Sequence, residues 1–202
     1  VPSILYIHGF NSSSASLKAR QLVEYMGRLG LQTQIQAPDL HHNPRQAMVQ
    51  LENAIAALGQ PLLVGSSLGG YYATVLAERY GLKAILINPA VRPWNLIDDH
   101  LGPQKNYYSG EEWVLTEEHV AALASLDVSA PCDPARYQVW LQTADETLDY
   151  REAEAFYHGC ALRIEAGGDH GFQRFAEHLP SLLSFAGFPS ALWRDTDFSD
   201  FK

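Results

Sequence analysis

The chain has 202 residues, enough to bury the core of one α/β domain, and its 47% hydrophobic and 18% charged content is a globular balance. A formal net charge of −9, with no run of basic residues, excludes a nucleic-acid polyanion as the main partner. No apolar stretch approaches the roughly 20 residues needed to span a bilayer. The two cysteines, Cys132 and Cys160, lack C-x-x-C or metal-ligand spacing, so they read as ordinary thiols in a reducing compartment.

The chain enters at once into an apolar, β-branched run, Ile4 to Ile7. No basic lead or cleavage site precedes it, so we expect no signal peptide and a cytoplasmic location. The strand stops at His8-Gly9-Phe10-Asn11, and His8 is expected to be structural. A polar loop, Asn11 to Ser14, offers helix N-caps. The spacing then predicts a helix from Ala15 to Gly30 with Leu17, Val23, Met26 and Leu29 on its apolar face. Thr33 to Ala37 alternates as a second strand. The loop from Pro38 to Pro44 carries His41 and His42. Adjacent histidines on an extended chain face opposite ways and no third ligand is spaced for them, so no metal is expected. Pro44 to Leu58 is helical, with Ala47, Met48, Leu51, Ala54, Ile55 and Leu58 on one face, and Gly59 ends it.

The next stretch organises the rest. Leu62, Leu63 and Val64 suit a buried strand, Gly65-Ser66-Ser67-Leu68-Gly69 fits G-x-S-x-G, and helical spacing resumes from Tyr71 to Tyr80. Strand, glycine-flanked serine and helix form the layout of a nucleophile elbow, whose serine sits in a strained backbone region between residues that must be small. Only Ser67 satisfies the frame, because centring on Ser66 would need glycine at Val64. The amide after this serine, Leu68, opens a helix and points outward. With the amide of Phe10, or Asn11 as second choice, it is the expected oxyanion donor.

Leu82 to Ile87 is a fourth strand, ending in Asn88-Pro89-Ala90-Val91-Arg92-Pro93. Residues 90 to 135 are rich in proline and aromatics and read as a small cap insertion with one short helix, Glu117 to Leu126. Its Trp94, Tyr107, Tyr108 and Trp113 either line an acyl pocket or anchor an irregular loop. Tyr137 to Leu141 is a fifth strand. The acid expected just past it is Asp145, with Glu146 and Asp149 as alternatives and Asp149 also a cap for a helix from Tyr150 to His158. Ala161 to Glu165 is a sixth strand, followed by Gly167-Gly168-Asp169-His170. His170 completes the chain order serine, acid, histidine, with His119 and His158 as weaker rivals. Phe172 to Phe185 closes as a helix. The polar tail from Pro189 to Lys202 carries Trp193, Phe198 and Phe201 and is either disordered or docked on a neighbouring surface.

Strands alternating with amphipathic helices predict a three-layer α/β/α fold with a mostly or wholly parallel six-stranded sheet. Ligands bind beyond the carboxyl ends of such strands, where Phe10, Ser67 and Asn88 all fall. The residues read as a serine hydrolase acting on a small acyl substrate, with Ser67 as nucleophile, His170 as base, Asp145 orienting the imidazole, and no metal or organic cofactor required. A thioesterase or peptidase, and a non-catalytic interaction protein on the same scaffold, are the alternatives.

With these residues in place the sequence resembles the α/β-hydrolase superfamily and, more closely, the small YqiA-type esterases of bacteria. Leu5 to Ser13, Gly65 to Thr74, Asn88 to Pro93 and Gly167 to His170 carry the resemblance, which runs from the start to about residue 188. It implies a compact hydrolase of six core strands with esterase activity, lacking the first strands of the larger superfamily fold. The tail after Phe188 departs from the pattern.

Overall fold

The fold is that of a computed structural model, which describes residues 1–197. Phe198 and Phe201 of the expected tail lie outside the described residues. The six strands are β1 (Ile4–Ile7), β2 (Ile35–Gln36), β3 (Leu62–Ser66), β4 (Ala84–Ile87), β7 (Tyr137–Gln142) and β8 (Ala161–Glu165). They form one wholly parallel sheet in the order β2-β1-β3-β4-β7-β8. A parallel sheet must be covered on both faces, so its inner strands β1, β3 and β4 are buried along their whole length, while the edge strand β8 carries Arg163 and Glu165. Leu5, Ile7 and Leu63 face α2 (Pro44–Leu58) and α3 (Leu68–Tyr80). Ile4, Tyr6, Leu62 and Val64 face α1 (Leu17–Arg28) and α7 (Leu179–Ala186).

The chain runs outward from β1 to β2 and then crosses back to place β3 on the other side of β1. That reversal opens a crevice between the carboxyl ends of β1 and β3, the ordinary place for a ligand in a doubly wound sheet. No helix among the described residues is long and apolar enough to cross a membrane.

Four local expectations need correction. The buried face of α1 is Ala19, Gln21, Leu22, Tyr25 and Met26, whereas Leu17 and Val23 are 48% and 40% exposed. Ala19, Leu22 and Met26 keep helical spacing as well as the predicted set, and the sheet selects the stripe that carries Tyr25. The second strand shrinks to two residues behind a 3-10 turn, Gln32–Gln34. The insertion between β4 and β7 holds α4 (Trp94–Ile97), α5 (Glu117–Ala124) and a hairpin missed in the sequence, β5 (Gly102–Lys105) against β6 (Glu112–Leu115). Pro103 hid β5, yet a two-stranded ribbon tolerates proline on its free edge. The last helix begins late because Phe172 and Arg174 adopt φ of 62° and 61°, which no helix admits, so a 3-10 turn precedes α7.

Candidate active site

The site is built at the end of β3. Ser67 holds φ 55° and ψ −121°, a conformation that side-chain-bearing residues avoid, and it caps the start of α3. The turn closes only because its neighbours lack side chains. A Cβ on Gly65 would lie 2.3 Å from the carbonyl oxygen of Gly69. A Cβ on Gly69 would lie 2.0 Å from that of Ile7, so this glycine yields space to the end of β1 rather than to Gly65. Hydrogen bonds from Ser67 N to Ile87 O (3.1 Å) and from Ala90 N to Ser67 O (3.0 Å) lock the turn onto the β4 end.

The loop after β8 brings His170 to the serine. Its Nε2 is 3.0 Å from Ser67 Oγ, and its Nδ1 is 2.9 and 3.0 Å from the two carboxylate oxygens of Asp145. The Asp145 side chain is 2% exposed and that of His170 24%, so the acid is walled off while the imidazole faces the crevice. Burial pulls the Asp145 pKa up, but the hydrogen bond to His170 and the amides of Leu148 and Thr147 outweigh it and hold the carboxyl below its ordinary range.

The other two acids have separate work. Glu146 Oε2 accepts from the His170 amide at 2.9 Å, and Asp149 caps α6 (Tyr150–Phe156) by accepting from Arg151 N at 3.0 Å. The imidazole that accepts from the Ser67 hydroxyl is that of His170, not that of His119 or His158. His119 instead accepts from Thr116 N at the start of α5.

Two functional neighbours escaped the sequence reading as side chains. Asn88, buried at the end of β4 with φ 39°, donates Nδ2 to the carbonyls of Asp169 (3.0 Å) and His170 (3.2 Å) and accepts from Gln142 N (3.0 Å). Gln142, buried at the end of β7, accepts on Oε1 from the amides of Asp169 (3.1 Å) and Gln173 (2.9 Å). Its Nε2 donates to Glu165 and to the Gln173 carbonyl, both at 3.0 Å. The signal available was a polar residue ending an apolar strand, which must find partners once buried. Lys18 adds a bond from α1 to the Gly171 carbonyl at 2.6 Å. Burial pushes its pKa down to about 8 against the opposing pull of Asp169 and Asp145.

On the opposite side, Phe10 and Leu68 line one cleft. Leu68 opens α3, so its N–H has no carbonyl within the helix to bond. The loop carrying Phe10 is held by the β5–β6 hairpin. Trp113 Nε1 donates to Asn11 Oδ1 (2.9 Å), Asn11 Nδ2 to Gln104 Oε1 (3.1 Å), Tyr107 N to Asn11 O (2.9 Å) and Asn106 Nδ2 to Ser12 O (2.8 Å). The Phe10 and Trp113 rings meet edge to face at 5.7 Å. Of the insertion's aromatics, Trp113 both anchors the loop and lines the cleft, Trp94 packs on Tyr71, and Tyr107 and Tyr108 are exposed.

His8, expected to be structural, lines the cleft beside Phe10 and is held on both ring nitrogens. It is buried, Nδ1 meets the Gly9 carbonyl and Nε2 accepts from Leu40 N, both at 2.9 Å, and burial lowers its pKa. His41 and His42 do not face opposite ways. The chain bends there, their ring centroids lie 4.2 Å apart, and His42 stacks on Trp113 at 4.7 Å.

A family model described as "Uncharacterised protein family (UPF0227)" matches residues 3–187. UPF0227 proteins of Shewanella oneidensis and Shewanella woodyi are 26% and 28% identical to this chain, each alignment covering 90% of this chain and 98% of the relative. Among solved structures, Est1E from Butyrivibrio proteoclasticus with ferulic acid bound superposes with a TM-score of 0.65 at 16% identity, over 92% of this chain and 86% of that one. Mouse alpha/beta hydrolase domain-containing protein 10 gives 0.69 at 14% identity, over 93% and 90%. At such identities the likeness is one of fold, and the fold is the α/β-hydrolase fold.

Proposed function

The chain belongs to the UPF0227 family and has the α/β-hydrolase fold, and from that premise we propose that it is a serine esterase cleaving carboxylic esters through an acyl-enzyme intermediate. The observation that supports this most is the 3.0 Å approach of His170 Nε2 to Ser67 Oγ with the Asp145 carboxylate behind the imidazole. In this reading Ser67 Oγ attacks the ester carbonyl carbon as its proton passes to His170 Nε2. The amides of Phe10 and Leu68 hold the oxyanion, and each such donor typically contributes about 10²–10³ in turnover. The tetrahedral adduct collapses, the C–O bond to the alcohol breaks, and His170 returns the proton to the departing oxygen. A water molecule then gives its proton to His170 as it attacks the acyl-serine, releasing the carboxylic acid and restoring Ser67. Asp145 stays ionised throughout, fixing the imidazole tautomer and stabilising the imidazolium. No step calls for a metal or organic cofactor.

The test is the Ser67→Ala protein in a p-nitrophenyl ester assay, with parallel rates on thioester and amide substrates for the wild type. Hydrolysis is expected to vanish in the variant while the thermal midpoint stays within a few degrees. A fluorophosphonate probe should label one residue per chain, Ser67. Full activity in the variant, or a label mapped elsewhere, overturns the reading.

A further inference from the structure

The cleft beginning at Phe10 and Leu68 has a composition that the esterase reading leaves unexplained. His170 must hand a proton to the leaving oxygen, so the leaving alcohol lies on the His170 side. The cleft is lined by Phe10 and Leu68, which carry the candidate oxyanion amides, and not by Ser67, His170 or Asp145, so it lies beyond the oxyanion position, on the acyl side. An acyl site for alkyl chains would be lined by aliphatic side chains. This one sets Tyr72, His41, His42, Glu111 and Trp113 beside the apolar Phe10, Leu40 and Leu68.

Tyr72 is the telling residue. It is 3% exposed, lines the cleft, and its hydroxyl has no hydrogen-bond partner among the described residues. Its neighbours in the same layer are satisfied: Tyr71 Oη donates to Leu123 O, and Tyr157 Oη pairs with Thr74 Oγ1, both at 2.8 Å. A hydroxyl that no protein group pairs and that borders a cleft is one whose water a ligand oxygen can replace. His41, half-buried on the same wall, supplies a second polar group. Its Nδ1 accepts from Asn43 N at 2.9 Å, which leaves the neutral ring's proton on Nε2 as a donor. The Glu111 carboxylate, 3.8 Å from His42 Nδ1 and 61% exposed, sets a partly screened negative charge on the cleft wall. It disfavours an acyl group that carries its own carboxylate.

We infer that this cleft is an acyl subsite for compact acyl groups bearing an uncharged hydrogen-bonding substituent, a keto, ether or hydroxyl oxygen, with Tyr72 as its specificity-determining residue. This rests on the esterase reading. It is tested with two matched pairs of p-nitrophenyl esters, butanoate against methoxyacetate and pentanoate against 4-oxopentanoate, each rate divided by that of alkaline hydrolysis. In the wild type the polar member of at least one pair should lead in kcat/KM by about tenfold, the worth of one good hydrogen bond. In Tyr72→Phe that ratio should fall to near one, with circular dichroism confirming the fold. Glu111→Gln should raise the rate on p-nitrophenyl hemisuccinate relative to pentanoate several-fold. Alkyl esters equal or preferred in both pairs, or a ratio unmoved by Tyr72→Phe or by Glu111→Gln, overturns the inference while leaving a Ser67-dependent esterase standing. If no ester is turned over and Ser67 takes no label, it is the esterase reading that fails.

Discussion

The two loops that flank Ser67 are held in opposite ways. The His170 loop is fastened from beneath, by Asn88 and Gln142 at the ends of two central strands. The Phe10 loop is fastened from above, by a hairpin inserted between β4 and β7 and standing outside the main sheet. In the esterase reading His170 needs a fixed distance to Ser67 in every step, and strand ends are rigid mounts. In the same reading the Phe10 amide faces the substrate, and an attachment made by an insertion would let the proposed acyl wall vary without disturbing His170. The two anchorages also differ in kind, since one belongs to the ends of the main sheet's strands and the other to a separate two-stranded sheet.

Asn88→Ala should show the largest effect. It strips two carbonyl bonds from the His170 loop and leaves the Gln142 amide buried without an acceptor. The unfolding free energy should drop by about 1–3 kcal/mol, and misplacement of the imidazole should lower kcat/KM by about 10²-fold. Differential scanning calorimetry and ester kinetics measure the two together. Trp113→Phe should separate them. It keeps the ring against Phe10 but removes the donor to Asn11, so turnover should fall by up to about tenfold while the thermal midpoint moves little. A large stability loss here, or none in Asn88→Ala, would break the contrast between the two anchorages.

The smallest effect concerns pH. The His8 pKa is held below its ordinary 6.5 by burial, so the stability it contributes is present above that pH and is lost as pH falls through the lower folded value. Protonation ends the bond from Leu40 N. Asp145 is shifted down from 3.8, so its contribution persists until far lower pH. Between pH 7.5 and 5.5 the protection of the Leu40 amide, near the Phe10 loop, corrected for the slower intrinsic exchange at lower pH, should therefore fall a few-fold before that of the His170 amide changes. Simultaneous loss at both would show that the two sides do not loosen independently.

Much of this was legible in the chain. The six strands, the elbow and its frame, and the sequence positions of Ser67, Asp145 and His170 are local matters: apolar runs between helical periods, two glycines around one serine, and polar residues just past strand ends. The buried face of α1 was not legible, because two stripes satisfied the same period and only the sheet could choose between them. Nor was the β5–β6 hairpin, whose proline and exposed alternation resemble a loop until the partner strand is seen.

The sequence by itself determined which segments become strands and helices and which residues stand at their ends, since hydrophobic period and turn chemistry act over a few residues. Only the tertiary structure decided which acid stands behind the imidazole, that Asn88 and Gln142 hold it there, and that Tyr72 is left with an unpaired hydroxyl in the cleft. Those depend on contacts between residues far apart in the chain, which exist only once the strands have been ordered side by side and the crossovers have set the loops against one another.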